Sequence, residues 1–230
     1  KRRHALMGER IGVDITNMIY ETAENIFLDA RAANDYEGLK YDVMQTFAIE
    51  VPYDEDEFNH GRKDELSNKL AEAALDSFKR RMDKLMQVAD PVIQQIYETK
   101  GQMYENILIP ITDGKKVYNI SVNLKAAAET HCKEVVKEFE KRMLLYVIDD
   151  EWKEHLRQLD DLKQSVQNAS YEQKDPLLIY KLESFNIFKQ MLDALNRRAI
   201  AILLRGQIHE QQPDRVQQAQ QQRRMDYSRY

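Results

Sequence analysis

Phe139-Glu-Lys141, Asp149-Asp-Glu-Trp-Lys-Glu-His-Leu156, Asp160-Asp-Leu-Lys-Gln164, Tyr171-Glu-Gln-Lys-Asp-Pro176 and Tyr180-Lys-Leu-Glu-Ser-Phe-Asn-Ile-Phe-Lys-Gln-Met191 follow one another in the part of the chain that decides its fold. Before the tip, apolar residues fall at Leu145, Ile148, Trp152, Leu156, Leu159 and Val166. Behind it they fall at Leu178, Leu182, Phe185, Phe188, Leu192, Leu195, Ala199 and Ile202. Steps of three, four and seven place each set on one helical stripe. Asp175 can accept from the free N–H groups of a first turn, and Pro176 suits the first helical position, so the second helix starts there. Two long stripes joined by a short polar connection predict an antiparallel helical hairpin. Tyr171 lies off both stripes, on the connecting loop. Trp152, Leu156, Leu159, Phe185, Phe188 and Met191 are expected to fill the core between hairpin and scaffold.

Working outward, the chain is poor in breakers, with seven glycines and five prolines in 230 residues, which predicts a mostly helical protein. Charged residues make up 32% and mean hydropathy is -0.67, values suited to long, solvent-washed helices. A net charge of -5 argues against a nucleic-acid binder that relies on a basic face. No apolar run reaches the length of a membrane span, and the N-terminus lacks a signal-peptide pattern. The single cysteine, Cys132, cannot form an internal disulfide and points to a reducing compartment. The chain opens inside a helical pattern without a methionine, so a fragment of a longer protein is expected.

Long helices are predicted over about 2–34, 124–167 and 176–205, the first packing along the other two through Ile11, Ile15, Met18 and Ile26. Between them a short helix or turn is expected near Tyr41–Phe47, then a solvated acidic loop over 53–58. A helix over 61–88 follows, with a separate helix starting at Asp90-Pro91. Two β-patterned runs, 106–112 and 115–122, flank Asp113-Gly114, the signal of a two-residue hairpin turn. Pro110 places its strand at an edge or a bulge. After Gly206 the sequence turns glutamine-rich and reads as a partly disordered linker.

The string Trp152-Lys-Glu-His-Leu156 with Asp160, Leu162, Gln164, Tyr171, Gln173-Lys-Asp-Pro176, Tyr180-Lys181, Glu183-Ser-Phe185, Phe188 and Met191 resembles, without a gap from Phe139 to Met191, the two-helix finger of the SecA preprotein translocase family. The flanking matches are collinear: Lys1–Arg10 is similar to the family's long scaffold helix, and Gln221-Gln-Arg-Arg-Met225 to its C-terminal linker. The resemblance implies a mostly all-α fold of long scaffold helices and a two-helix finger, with a smaller wing domain carrying a β-hairpin. Its order implies a scaffold helix over 1–35, a wing over 36–123 with the hairpin near 106–122, a scaffold return and finger over 124–205 with its tip at 167–175, and a linker over 206–230. The β-hairpin is a departure from the largely helical wing of the family.

By the same resemblance, the fingertip tyrosine, Tyr171, contacts translocating polypeptide at the mouth of the SecY channel, with Ser170 and Lys174 beside it. A ring with a hydroxyl can pack on most side chains and hydrogen-bond passing backbone, giving grip without sequence preference. Many family tips carry an arginine and glycines; here the run is Ser165-Val-Gln-Asn-Ala-Ser-Tyr171, and Lys174 is the loop's one positive charge. The implied partners are preprotein, the SecY channel complex and nucleotide-binding domains of the same protein, with a cytoplasmic location, peripheral on the inner face of the bacterial plasma membrane. No nucleic acid is expected, and an anionic membrane surface is met only peripherally. No G-x-x-x-x-G-K-[ST] loop occurs, so no catalytic site, cofactor or metal is expected in this chain; ATP and magnesium belong to other domains of the parent.

The alternatives are a free-standing helical adaptor and a helical-bundle metalloenzyme. Glu151 and His155 sit one turn apart, but a di-iron bundle needs Glu-x-x-His on two helices, which is absent. His155 is expected as a packed structural histidine and Cys132 as a small buried hydrophobe. The acidic run 54–57 lacks the spacing and glycine of a calcium loop.

Overall fold

The computed structural model describes residues 1–169 and 175–209, with side chains described for 1–166 and 175–209. It is mostly α-helical with a small antiparallel sheet. The chain divides into two compact units, Lys1–Met82 with Glu140–Arg205, and Asp83–Phe139 with the segment from Gly206.

The first unit contains α1 (Arg2–Met7), α2 (Ile11–Ala33), α3 (Tyr36–Phe47), α4 (Glu55–His60), the first part of α5 (Lys63–Lys100), most of α7 (Lys133–Ala169) and α8 (Pro176–Arg205). The stripe Ile11, Ile15, Met18, Ile19, Ile26 and Phe27 on α2 is buried, as are Leu39, Val43 and Phe47 on α3 and Ala199, Ile200, Leu203 and Leu204 on α8. These three helices pack pairwise. Each buried large aliphatic side chain stabilises the unit by about 1.5–3 kcal/mol, which is what holds helices with such polar outer faces.

Three sequence expectations change in this unit. The helix predicted over 2–34 is broken: Gly8 (φ 70°) closes α1 and Arg10 (φ 55°) opens α2, both left-handed. Gly8 adopts that conformation without a Cβ penalty, and the turn returns the N–H groups of Gly8 and Glu9 to the carbonyls of Ala5 and His4. The acidic 53–58 segment is not a loop, because Asp54 caps a helical turn by accepting from Glu57 N at 2.8 Å. This lets Tyr53 and Phe58 turn inward, and both are buried. The short element near Tyr41 is a full helix from Tyr36, started by Asp35 accepting from Gly38 N.

The second unit holds the rest of α5, β1 (Asn106–Thr112), β2 (Val117–Asn123), α6 (Leu124–Glu129), the start of α7 and β3 (Gln207–Ile208). Helix α5 passes through Pro91 without a break, against the expected restart at Asp90. A proline there forfeits one backbone hydrogen bond. Its neighbours are held from the side: Gln94 Nε2 donates to Asp90 Oδ1 (3.2 Å) and to the Ala128 carbonyl (2.8 Å). The helix expected from 124 is interrupted at His131 (φ 48°) and Cys132 (φ 64°), two successive left-handed residues between α6 and α7.

Strands β1 and β2 pair antiparallel from Asn106↔Asn123 to Thr112↔Val117, so the loop has four residues, 113–116, in place of the two-residue turn. The Asp113 carboxylate organises it, accepting from Lys115 N and Lys116 N at 2.8 and 2.7 Å, while Gly114 supplies φ 86°. The sheet order is β2-β1-β3, so β1, with Pro110, is central and not an edge. β3 pairs only at Ile111↔Ile208 and Thr112↔Gln207. Its two residues come from the start of the stretch expected as linker. Alternation along β1 buries Ile107, Ile109 and Ile111, matched by Ile120 and Val122 on β2.

Candidate polypeptide-contacting hairpin

Helices α7 and α8 form the arms of the hairpin that the sequence places around residues 167–175. The second arm starts where capping chemistry requires: Asp175 Oδ1 accepts from Leu177 N at 2.9 Å, and its carbonyl from Ile179 N at 3.2 Å. Ser170, Tyr171 and Lys174, the residues singled out for polypeptide contact, lie outside the described residues.

The side chains expected as hairpin core are mostly not core. Trp152 is 44% exposed, Leu156 46%, Phe185 61% and Phe188 39%. Leu159 is half-buried, and only Met191 is buried. Periodicity groups these residues on stripes, but among the described residues most of their side chains remain exposed. One buried group on this arm is His155, which packs between the rings of Trp152 (centroids 5.3 Å) and Phe188 (5.7 Å). Its Nδ1 is buried without a hydrogen-bond partner. With Leu177, Leu178, Leu182 and Leu192, the exposed residues give the hairpin a long apolar surface. Large apolar side chains exposed along one hairpin point to an interaction face.

At the base, two adjacent arginines hold α8, and sequence reasoning missed both. Arg197 reaches Asp193 (2.7 Å) on its own helix, Asp29 (3.3 Å) on α2 and Asp42 (3.6 Å) on α3. Arg198 turns the other way, to Asp150 (2.6 Å) and Glu151 (2.7 Å) on α7, and stacks over the Tyr146 ring at 5.4 Å. Burial alone would lower the guanidinium pKa, but the hydrogen bonds to Glu151 and Asp150 outweigh it and hold the group above the ordinary arginine value. Engagement with Arg198 also removes Glu151 as a metal-ligand partner for His155. The signal that could have found this pair was the run Asp149-Asp-Glu151 facing Arg197-Arg198 across an antiparallel hairpin.

In the second unit, His131 Nδ1 meets Asp90 Oδ2 at 3.1 Å, and Cys132 Sγ lies 3.8 Å from Asp90 Oδ1. The side-chain hydrogen bond from Gln94, and then that from His131, lower the Asp90 carboxyl pKa. Burial pushes the Cys132 thiol up to about 12, and the Asp90 charge adds to this. A thiol so far from its thiolate is a poor nucleophile or metal ligand. Among the described residues no group of three or more His, Cys, Asp or Glu could hold a metal ion, and no helix is long and apolar enough to cross a membrane.

Long helices fastened at one level and carrying a hairpin with exposed apolar side chains make up the first unit, and a small three-stranded sheet with its helices makes up the second. A family model for the SecA wing and scaffold domain matches residues 1–207. The chain belongs to that family. It is 58% identical over 219 residues, 95% of its length, to the protein translocase subunit SecA of Phocaeicola vulgatus. To the subunit of the same name from Bacteroides thetaiotaomicron it is 57% identical over 239 residues, all of the chain. It is 41% identical to that of Christiangramia forsetii over 208 residues, 90% of the chain. The chain spans about a fifth of the length of these relatives: 20%, 21% and 19%.

Proposed function

We propose that this chain is the non-catalytic scaffold, wing and finger portion of an ATP-driven protein translocase that moves preproteins through a SecY channel. The observation that carries this reading is the α7/α8 hairpin, fastened at its base and presenting Trp152, Leu156, Phe185 and Phe188 on an uncovered face. A translocase needs a stiff element that brings a loop to the substrate, and loops on rigid scaffolds often carry function. Tyr171, flanked by Ser170 and Lys174, is the residue that grips the passing polypeptide. The exposed apolar face is the seat of nucleotide-binding domains of the longer protein, which bind ATP and magnesium and perform the hydrolysis. The assembly works in the cytoplasm, peripherally at the inner face of the bacterial plasma membrane.

Preprotein transport into membrane vesicles by the longer protein tests the reading. Tyr171→Ala slows transport and Tyr171→Phe retains more of it, while helix content stays the same because the sequence places Tyr171 off both apolar stripes. Transport by Tyr171→Ala at the wild-type rate would remove the contact role.

A further inference from the structure

Ion pairing along the hairpin is unevenly distributed. All described charge contacts between α7 and α8 fall at one level, where Arg198 on α8 engages both Asp150 and Glu151 on α7 and lies over the Tyr146 ring. From that level to the tip, no ion pair among the described residues joins the two helices: Arg157 is spent on its own helix, on Glu154 and Asp161. Buried side chains thin out in the same direction. On α7 beyond Glu151 only His155 and Val166 are buried among the described side chains, and on α8 none is buried before Met191. The arm is therefore lightly packed and its base is tight.

The neighbouring Arg197 fastens α8 in the opposite direction, to Asp29 on α2 and Asp42 on α3. Two consecutive residues on a helix point about 100° apart, so the tandem pair ties one helix to two different sets of neighbours at a single height. Isolated surface ion pairs contribute little to stability. A guanidinium shared between two carboxylates and stacked on an aromatic ring is a different case, because planar, multi-point contact fixes direction as well as distance. Arg198 is 35% exposed at its side chain and Glu151 16%, so water screens the contact only in part.

We infer that Arg198 is the positioning residue of the hairpin, a fixed joint that sets the angle at which the α7 arm leaves the scaffold. Arg197 holds the seat of that joint, and Arg198 holds the arm to it. Loss of the joint lets the arm swing while the helices and the core of the unit persist, since no fully buried apolar side chain is touched. For its purpose, the stiff delivery of a loop to a substrate, this inference rests on the function proposed above. The joint itself is a property of the chain and is measured without transport.

The experiment is a pulsed electron spin resonance distance measurement on this chain. Spin labels are placed at the exposed positions Tyr41 on α3 and Lys163 on the arm; native Cys132 is buried. The wild-type pair gives one narrow distance distribution. Arg198→Ala broadens it at least twofold, with circular dichroism and the melting of the core unchanged at the measuring temperature. Arg198→Lys, which keeps the charge but loses the two-carboxylate fork, gives an intermediate width. The milder double variant Asp150→Asn/Glu151→Gln removes the joint from the other side, keeps the arginine, and broadens the distribution as Arg198→Ala does. A distribution in both variants as narrow as wild type overturns the inference. That failure would leave the Tyr171 reading standing, and failure of the Tyr171 transport test would leave the joint standing.

Discussion

Replacing Phe27 by alanine tests where the first unit keeps its stability. The ring is fully buried and meets Tyr53 (centroids 6.2 Å, 84°) and Phe58 (5.8 Å, 80°) edge to face. The Arg31 guanidinium lies 5.7 Å over Phe27 and 5.5 Å over Phe58 and donates to the carbonyls of Phe58, Asn59 and Gly61. Truncating a buried phenylalanine costs about 3–5 kcal/mol. Each edge-to-face pair adds about 0.5–1.5 kcal/mol beyond area burial, so the loss falls in the upper half of that range, about 4–5 kcal/mol. In a protein of this size that is a melting shift of about 8–20 °C. Trp152, the only tryptophan, reports unfolding of the same unit by fluorescence during urea titration. Trp152→Ala, followed by circular dichroism, is the contrast. With 44% of the residue already in water and no closed cavity left behind, it costs only about 1–2 kcal/mol. A Phe27→Ala loss under about 2 kcal/mol, or one no larger than that of Trp152→Ala, would refute the placing of the Phe27 ring in the core of the first unit.

The Cys132 thiol, pushed up to about 12 by burial, reacts with a maleimide at pH 8 at least about a thousandfold more slowly in the native chain than in urea; rapid native labelling would contradict its burial. Burial also pushes the Glu140 carboxyl up to about 7 from 4.5. The folded state therefore favours the neutral acid: this contribution is fully present below about pH 4.5 and is lost as pH rises through about 7. Glu140→Gln flattens that part of the stability profile in urea titrations at successive pH values; an unchanged slope would show that another group produces it.

The hairpin was the most legible part of the chain because its signals are local. The Asp175-Pro176 start needs only a side-chain acceptor and a fixed φ, and α8 runs from Pro176 to Arg205 as read. The strands around Asp113-Gly114 were legible for the same reason. The turn between them was not, because the Asp113 carboxylate makes a four-residue loop as good a solution as a two-residue one. Pro91 misled because its cap-like signal was overridden by the side-chain bonds of Gln94 across to α6, a contact between residues 34 apart in the chain. The left-handed residues at His131 and Cys132 are not glycines, so no compositional mark announces that break. Burial of Trp152 and its neighbours could not be read from period alone: a stripe says which side chains share a face, and only tertiary structure says whether the face is covered. The Arg198 joint was missed for a related reason, since its partners are 47 and 48 positions away.

Pro110 has a consequence for how far the sheet can be paired on one side. It sits on the central strand, its carbonyl accepting from His209 N at 2.9 Å on the side where β3 runs. An antiparallel partner at such a position normally gains two backbone bonds; opposite a proline it gains one. A strand from another molecule would first have to displace β3, and would then meet the same missing donor. A missing donor is a recognised brake on edge-to-edge association. One residue in a seven-residue strand thus limits how far any partner, β3 or a strand of another chain, can pair along this side of the sheet.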